Sequence, residues 1–175
     1  MKNEALEVLK NRRSIRKFKS EQITVQELNT VLEAGTYAPT AAGKQQPVII
    51  AVQNPEVITE LNRLNGKIMT GKEDQHPYYG APTILLILAP KTGIAPIEDG
   101  SLIAGNLLNA AYAVGLGSCW IHRTKEMFEM PEGKSLLKKW NIPEDMMGVA
   151  SIALGYADCE HPNAAPRKSD YVKVV

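Results

Sequence analysis

The sequence predicts an α+β domain with a mixed sheet, and three observations predict it. Apolar runs of strand length, Val48 to Val52, Thr83 to Leu88 and Met147 to Leu154, are separated by segments whose apolar residues recur at helical spacing. Helix-start signals stand ahead of several of those segments. No repeat, linker or low-complexity stretch divides the chain, so residues 1–175 are expected to form a single domain.

The elements follow in order. Asn3 is a cap for a first short helix with Ala5, Val8 and Leu9 on one face, and the basic segment Arg12 to Lys17 is the junction after it. Thr24 with Glu27 is a capping box, Leu28, Val31 and Leu32 repeat at helical spacing, and Gly35 is the expected stop. Tyr37 to Pro47 is a small, polar, Pro- and Gly-punctuated loop that feeds the strand Val48 to Val52. Asn54-Pro55 opens a third helix, with Val57, Leu61 and Leu64 on one face and Gly66 near its end. Lys67 to Gly80 is polar and weakly patterned, and is expected to be a mobile surface segment.

Thr83 to Leu88 is apolar throughout, as a strand covered on both faces must be. From Gly100 to Val114 the chain is almost uncharged, so this helix is expected at the domain centre or across a subunit contact, with Leu107 in that contact. Gly115-Leu116-Gly117 stops it, because a dinucleotide loop requires the reverse order of strand, turn and helix. Ser118 to Ile121 reads as a strand, Lys134 to Trp140 as a helix and Met147 to Leu154 as a long strand. The charged, Pro-rich tail ends in the β-prone Tyr171 to Val175.

Composition excludes several classes. Lys plus Arg total 20 against 19 for Asp plus Glu, so no general attraction to nucleic acid or acidic membranes is expected. Cys119 and Cys159 are too few for a disulfide framework and no secretory leader opens the chain, which points to the cytoplasm. Ile84 to Ala89 is far short of the ~20 apolar residues of a membrane-crossing helix. The spacings Cys119-x-x-His122 and Cys159-x-His161 are not those of zinc knuckles, so no metal is expected. GxSxG and HExxH signals are absent, which leaves a cofactor as the better carrier of any chemistry.

Arg12, Arg13, Ser14 and Arg16 offer three guanidinium groups and a hydroxyl within five residues, a donor set suited to a phosphate dianion and equally to a solvated helix end. Arg167 and Lys168 present the same two options. Four ordered pieces decide between them: N-R-R-S-I-R, A-P-T-A-A-G-K-Q, a central apolar helix leading into G-L-G-S-C-W-I, and L-G-Y-A followed by P-R-K-S-D-Y-V. In these the chain resembles the nitroreductase family of FMN-dependent oxidoreductases, especially its compact members.

The resemblance implies a three-layer α-β-α fold with a central mixed, mostly antiparallel sheet, and a homodimer with FMN in clefts at the subunit contact. It implies that Arg12, Arg13, Ser14, Arg167 and Lys168 hold the FMN phosphate and ribityl oxygens, and that Arg16 lies near the pyrimidine edge and tunes the ring. Pro39, Thr40 and Ala41 are implied to reach the flavin from the other subunit, with Lys44 and Gln45 beside the ring and ribityl chain. Trp120, Ile121 and His122 are implied to pass the ring, and His122 either touches substrate or is structural. Gly43 stands where the family often has Asn, Val48 where many members have an aromatic, and Gln46 adds a residue to the loop.

The implied activity is ping-pong hydride transfer from NADH or NADPH through flavin N5 to a nitroaromatic, quinone or related small-molecule acceptor, with no catalytic side chain. The alternatives are a flavin-binding carrier or sensor without turnover, and a flavoenzyme dedicated to another metabolite.

Overall fold

The sheet is built around one strand that is covered on both faces. In the computed structural model, which describes residues 3–175, β2 (Thr83–Pro90) is buried from Thr83 to Ala89 and lies between β1 (Val48–Val52) and β4 (Met146–Gly155). Among the described residues the strand order is β1-β2-β4-β3, with β3 (Gly117–Ile121) at the far edge, and every ladder is antiparallel. Its one parallel pairing is the isolated bridge from Ser14 to Ser118.

Period-two alternation sends the residues of β2 to two different cores. Leu85 and Ile87 pack with Val31 of α2 (Val25–Thr36) and with Ile103, Leu107 and Ala111 of α4 (Pro96–Ala113). Ile84, Leu86 and Leu88 pack with Leu61 and Leu64 of α3 (Pro55–Thr70), with Met127 and Phe128 of α5 (Thr124–Glu129), and with Leu137 of α6 (Pro131–Lys139). Helices therefore cover both faces of the sheet, and the result is the expected three-layer arrangement. α1 (Glu4–Asn11) begins at Asn3, whose side chain accepts the Ala5 and Leu6 N–H groups.

Five expectations are corrected. Gly35 does not stop α2: it lies inside the helix, where an added Cβ would come within 2.6 Å of Leu107 Cδ2, so it permits close approach of α2 to α4. α3 continues past Gly66 to Thr70 and ends at Gly71, whose φ of 75° is left-handed. The segment 67–80 is not wholly superficial, because Pro77 and Tyr78 are buried. Finally, the expected helix Lys134 to Trp140 is α6, which begins earlier and is preceded by α5; β-prone Tyr171 to Val175 forms no strand and is exposed.

Candidate functional site

The basic junction after α1 is laid along the free edge of the sheet. Ile15 N–H donates to Ser118 O at 2.9 Å, Ser14 bridges Ser118, and further on Phe18 bridges Ala157 while Lys19 N–H donates to Tyr156 O. The close approach depends on Gly117, where a Cβ would meet the Ile15 side chain at 3.0 Å. Beneath this segment Cys119 is buried. Burial pushes its thiol above the ordinary value, opposed by the Arg16 charge, a hydrogen bond with Ser14 and the Arg12 charge. Arg12, Ser14 and Arg16 thus converge over one point of β3.

Arg13 is used differently. Its Nη1 donates to Lys10 O at 2.8 Å and Arg12 O at 2.7 Å, closing the C-terminal end of α1, while its buried Nε has no partner. Among the described residues neither Arg12 nor Arg16 takes part in an ion pair, whereas Lys17 is paired with Asp158 at 2.8 Å.

The loop holding Pro39, Thr40, Ala41, Lys44 and Gln45 lies elsewhere. Asp99, buried in the first turn of α4, accepts the Ala41 N–H at 2.8 Å, and Thr40 Oγ1 accepts the Gln45 N–H at 2.9 Å. Ala42, Gly43 and Gln45 all have positive φ, and Gly43 at 65° occupies the region that Gly and Asn tolerate best. Lys44 and Gln45 are exposed, and Thr40 and Gln45 line a cavity of 310 Å³ with Leu32, Ile49 and Ile103.

This loop feeds β1, one edge of the sheet, whereas the Arg12–Arg16 segment accompanies β3, the other edge. Three strand spacings, about 14 Å, separate those edges. They also approach opposite strand ends. Val48, the start of β1, shares its row with Leu88 and Gly148, while Ser118, beside Ser14, shares its row with Leu154 and Thr83. Within one chain the two groups of residues do not meet.

At the end of β3, Trp120, Ile121 and His122 open onto a cavity of 360 Å³ whose other wall is the 69–79 segment, including Met69, His76 and Tyr79. Arg123 completes it. Asn65, fully buried in α3, accepts Arg123 Nε at 2.9 Å and donates to His122 O at 2.9 Å and Met127 Sδ at 3.3 Å. Tyr78 anchors the opposite wall, with its hydroxyl 3.1 Å from Ser151 Oγ and its N–H donated to Asn62 Oδ1. Burial raises the Tyr78 phenol above its ordinary value, so it stays neutral.

The tail carrying Arg167 and Lys168 is exposed from Asp158 onward. Its traced contacts include the His161 ring 5.5 Å from Tyr112, and Arg167 donating to Ala165 O. Among the described residues no hydrogen bond or ion pair joins Arg167 or Lys168 to Arg12 or Arg16. α4 is buried on one face only. Leu107 is fully covered inside its own chain, which corrects its expected place in a contact; Ile97 and Leu102 are exposed, and an apolar groove runs between α1 and α4 beside Val8, Leu9, Ala110 and Ala113.

Sequence reasoning missed Asn65, Asp99 and Arg123. Asp99 carried a faint signal, an acid in the first turn of a helix otherwise almost uncharged. Asn65 and Arg123 carried none, since their contact spans 58 residues.

The Nitroreductase family model matches residues 9–156, a span from the last turns of α1 to the end of β4. The chain belongs to the nitroreductase family. A nitroreductase with bound FMN from Bacteroides fragilis superposes with a TM-score of 0.91 at 29% identity, covering 99% of this chain and all of that one. A second, also with bound FMN, from Desulfitobacterium hafniense, gives 0.89 at 26% identity with 100% of both chains covered. An NADPH-dependent oxidoreductase of Staphylococcus saprophyticus is 36% identical over 176 residues, spanning 83% of this chain and 67% of its own length. This nitroreductase-family chain has, among the described residues, no helix long and apolar enough to cross a membrane.

Proposed function

We propose that residues 1–175 form a single FMN-binding domain of an NAD(P)H-dependent oxidoreductase that works as a cytoplasmic homodimer. The observation that carries the two-chain reading is the placement of the Pro39–Gln45 loop and the Arg12–Arg16 segment at opposite edges and opposite ends of the sheet. A cleft that uses both has to take one from each of two copies. The apolar groove of α1 and α4, with exposed Leu9 and Leu102, supports the same reading, because a permanent interface resembles a core cut in half.

The residues present fit FMN. Among the described residues Arg12 and Arg16, with Ser14 between them, are a charge-assisted donor set in no ion pair, and Arg13, whose Nη1 closes α1, keeps a buried Nε without a partner. In the proposed complex Arg12, Arg13 and Ser14 hold the phosphate and ribityl oxygens, joined by Arg167 and Lys168 once the tail is docked. Arg16 sets a fixed cation near the ring. Trp120, Ile121 and His122 flank the ring, and Pro39, Thr40, Ala41, Lys44 and Gln45 come from the partner copy. Bound FMN supplies hydride transfer between a nicotinamide donor and an oxidised acceptor that follow each other in one cleft.

The chain's own part is positioning. Asp99 and Thr40 hold the strained loop, Asn65 holds the β3–α5 turn, and the buried Tyr78–Ser151 contact fixes the far wall of the cavity. Nitroaromatics and quinones are the proposed acceptors. Steady-state rates measured over a grid of NADPH and menadione concentrations test the ping-pong order. Parallel double-reciprocal lines are expected, and lines that intersect would overturn it.

A further inference from the structure

The cavity at the end of β3 holds a cation that the fold immobilises and leaves without an anion. Arg123 is half-buried, its Nε is engaged by Asn65, and among the described residues its Nη groups take part in no hydrogen bond or ion pair. Three features show that the guanidinium is held in place. Asn65 is a fully buried amide flanked in α3 by buried Leu61 and Leu64, and all three of its contacts are made to the β3–α5 region. Arg123 itself has φ of 74°, a conformation that a side chain other than Gly or Asn adopts at a cost, and Tyr79 across the cavity has φ of 57°. The cavity's remaining polar groups include those of His76 and His122, and no carboxylate lines it.

A guanidinium tied through Nε presents its two Nη groups as a planar fork, the geometry that matches the two oxygens of a carboxylate or phosphate. We propose that Arg123 forms an oxyanion-recognition subsite, selecting ligands that carry a carboxylate or phosphate away from their reacting end. Asn65 is its positioning residue. The proposal rests on the oxidoreductase reading for the identity of the ligands, which are either the acceptor or the reductant. It does not rest on that reading for the binding chemistry.

The test uses the FMN-loaded protein and two probes of equal shape, benzoate and benzamide, followed by isothermal titration. Wild type is expected to bind benzoate about tenfold or more tightly than benzamide, with the preference lost in Arg123→Gln and partly kept in Arg123→Lys. No preference in wild type, or an undiminished one in Arg123→Gln, overturns the proposal. If Arg123→Gln does not fold, Arg123→Lys and wild type decide it by the same criterion. Turnover then identifies the source. A rise in KM confined to 4-nitrobenzoate, with 4-nitrobenzamide unmoved, assigns the subsite to acceptors; a rise confined to NADPH, with NADH unmoved, assigns it to the reductant's phosphate. A rise in neither overturns the subsite's role in turnover. Benzoate preference in a protein that no nicotinamide cofactor reduces would sink the oxidoreductase reading and leave the subsite standing.

Discussion

The Asp99 carboxylate in the first turn of α4 accepts the Ala41 N–H at 2.8 Å, tying the loop before β1 to the helix at the centre of the fold. The two residues are 58 positions apart, and the bond is made where Asp99 is nearly inaccessible to water. Replacing Asp99 by Ala leaves the Ala41 N–H without its partner. A loss of about 1.5 to 3 kcal/mol is expected from thermal or urea unfolding, and Asp99→Asn, which keeps an acceptor oxygen, should lose less. Equal stability of Asp99→Ala and wild type would remove this contact from the account.

The convergence of Arg12, Ser14 and Arg16 above Cys119 leads to the second prediction. Arg12→Ala and Arg167→Ala should each weaken FMN retention by about 1.5 to 3 kcal/mol, read as a change in Kd during titration of apoprotein with FMN. Unaltered FMN affinity in both variants would exclude them from the phosphate site.

Leu9 and Leu102 are 58% and 48% exposed on the groove side and along α4, so a charge there costs the isolated protomer little. Leu9→Glu and Leu102→Glu should convert a dimer to a monomer by light scattering, with FMN lost at the same time. Leu107→Glu would be uninformative, since Leu107 is buried against Gly35 and its replacement unfolds the protomer. A dimer mass unchanged in both surface variants would place the subunit contact elsewhere.

Glu27 ties α2 to the end of β4. Its carboxylate takes hydrogen bonds from the Thr24 hydroxyl, the Tyr156 hydroxyl and the Thr24 N–H, which hold its pKa below the ordinary value. A carboxyl depressed by folding stabilises the protein above its unfolded pKa, about 4.3, and that contribution fades as pH falls through the folded value. Glu27→Gln should therefore have a lower Tm than wild type at neutral pH, with the gap closing in acid. A gap independent of pH would show that the charge is immaterial.

Local signals were sufficient where local forces decide the structure. Val48–Val52 and the Thr24–Glu27 capping box stand as read, because an apolar run, its length and a cap are properties of neighbouring residues. Gly35, misread as a helix stop, and Gly66, beyond which α3 runs one more turn, are explained by distant neighbours: Gly35 faces Leu107, and at Gly66 a Cβ would come within 2.8 Å of Gln75. α5 was invisible because Arg123 provides no side-chain cap for it. Tyr78 was hidden among polar residues although it is fully buried. The same division holds in the site: the Arg12–Arg16 pattern is contiguous and legible, whereas the Asn65–Arg123 pair exists only once α3 packs beside the end of β3.

The central claim is that two copies of this chain hold a flavin that a nicotinamide cofactor reduces. Anaerobic addition of NADH or NADPH to the purified yellow protein, followed by visible absorption, tests it most directly. Rapid loss of the flavin colour, restored by menadione, is the predicted result. A flavin spectrum that neither cofactor bleaches faster than free FMN would contradict it.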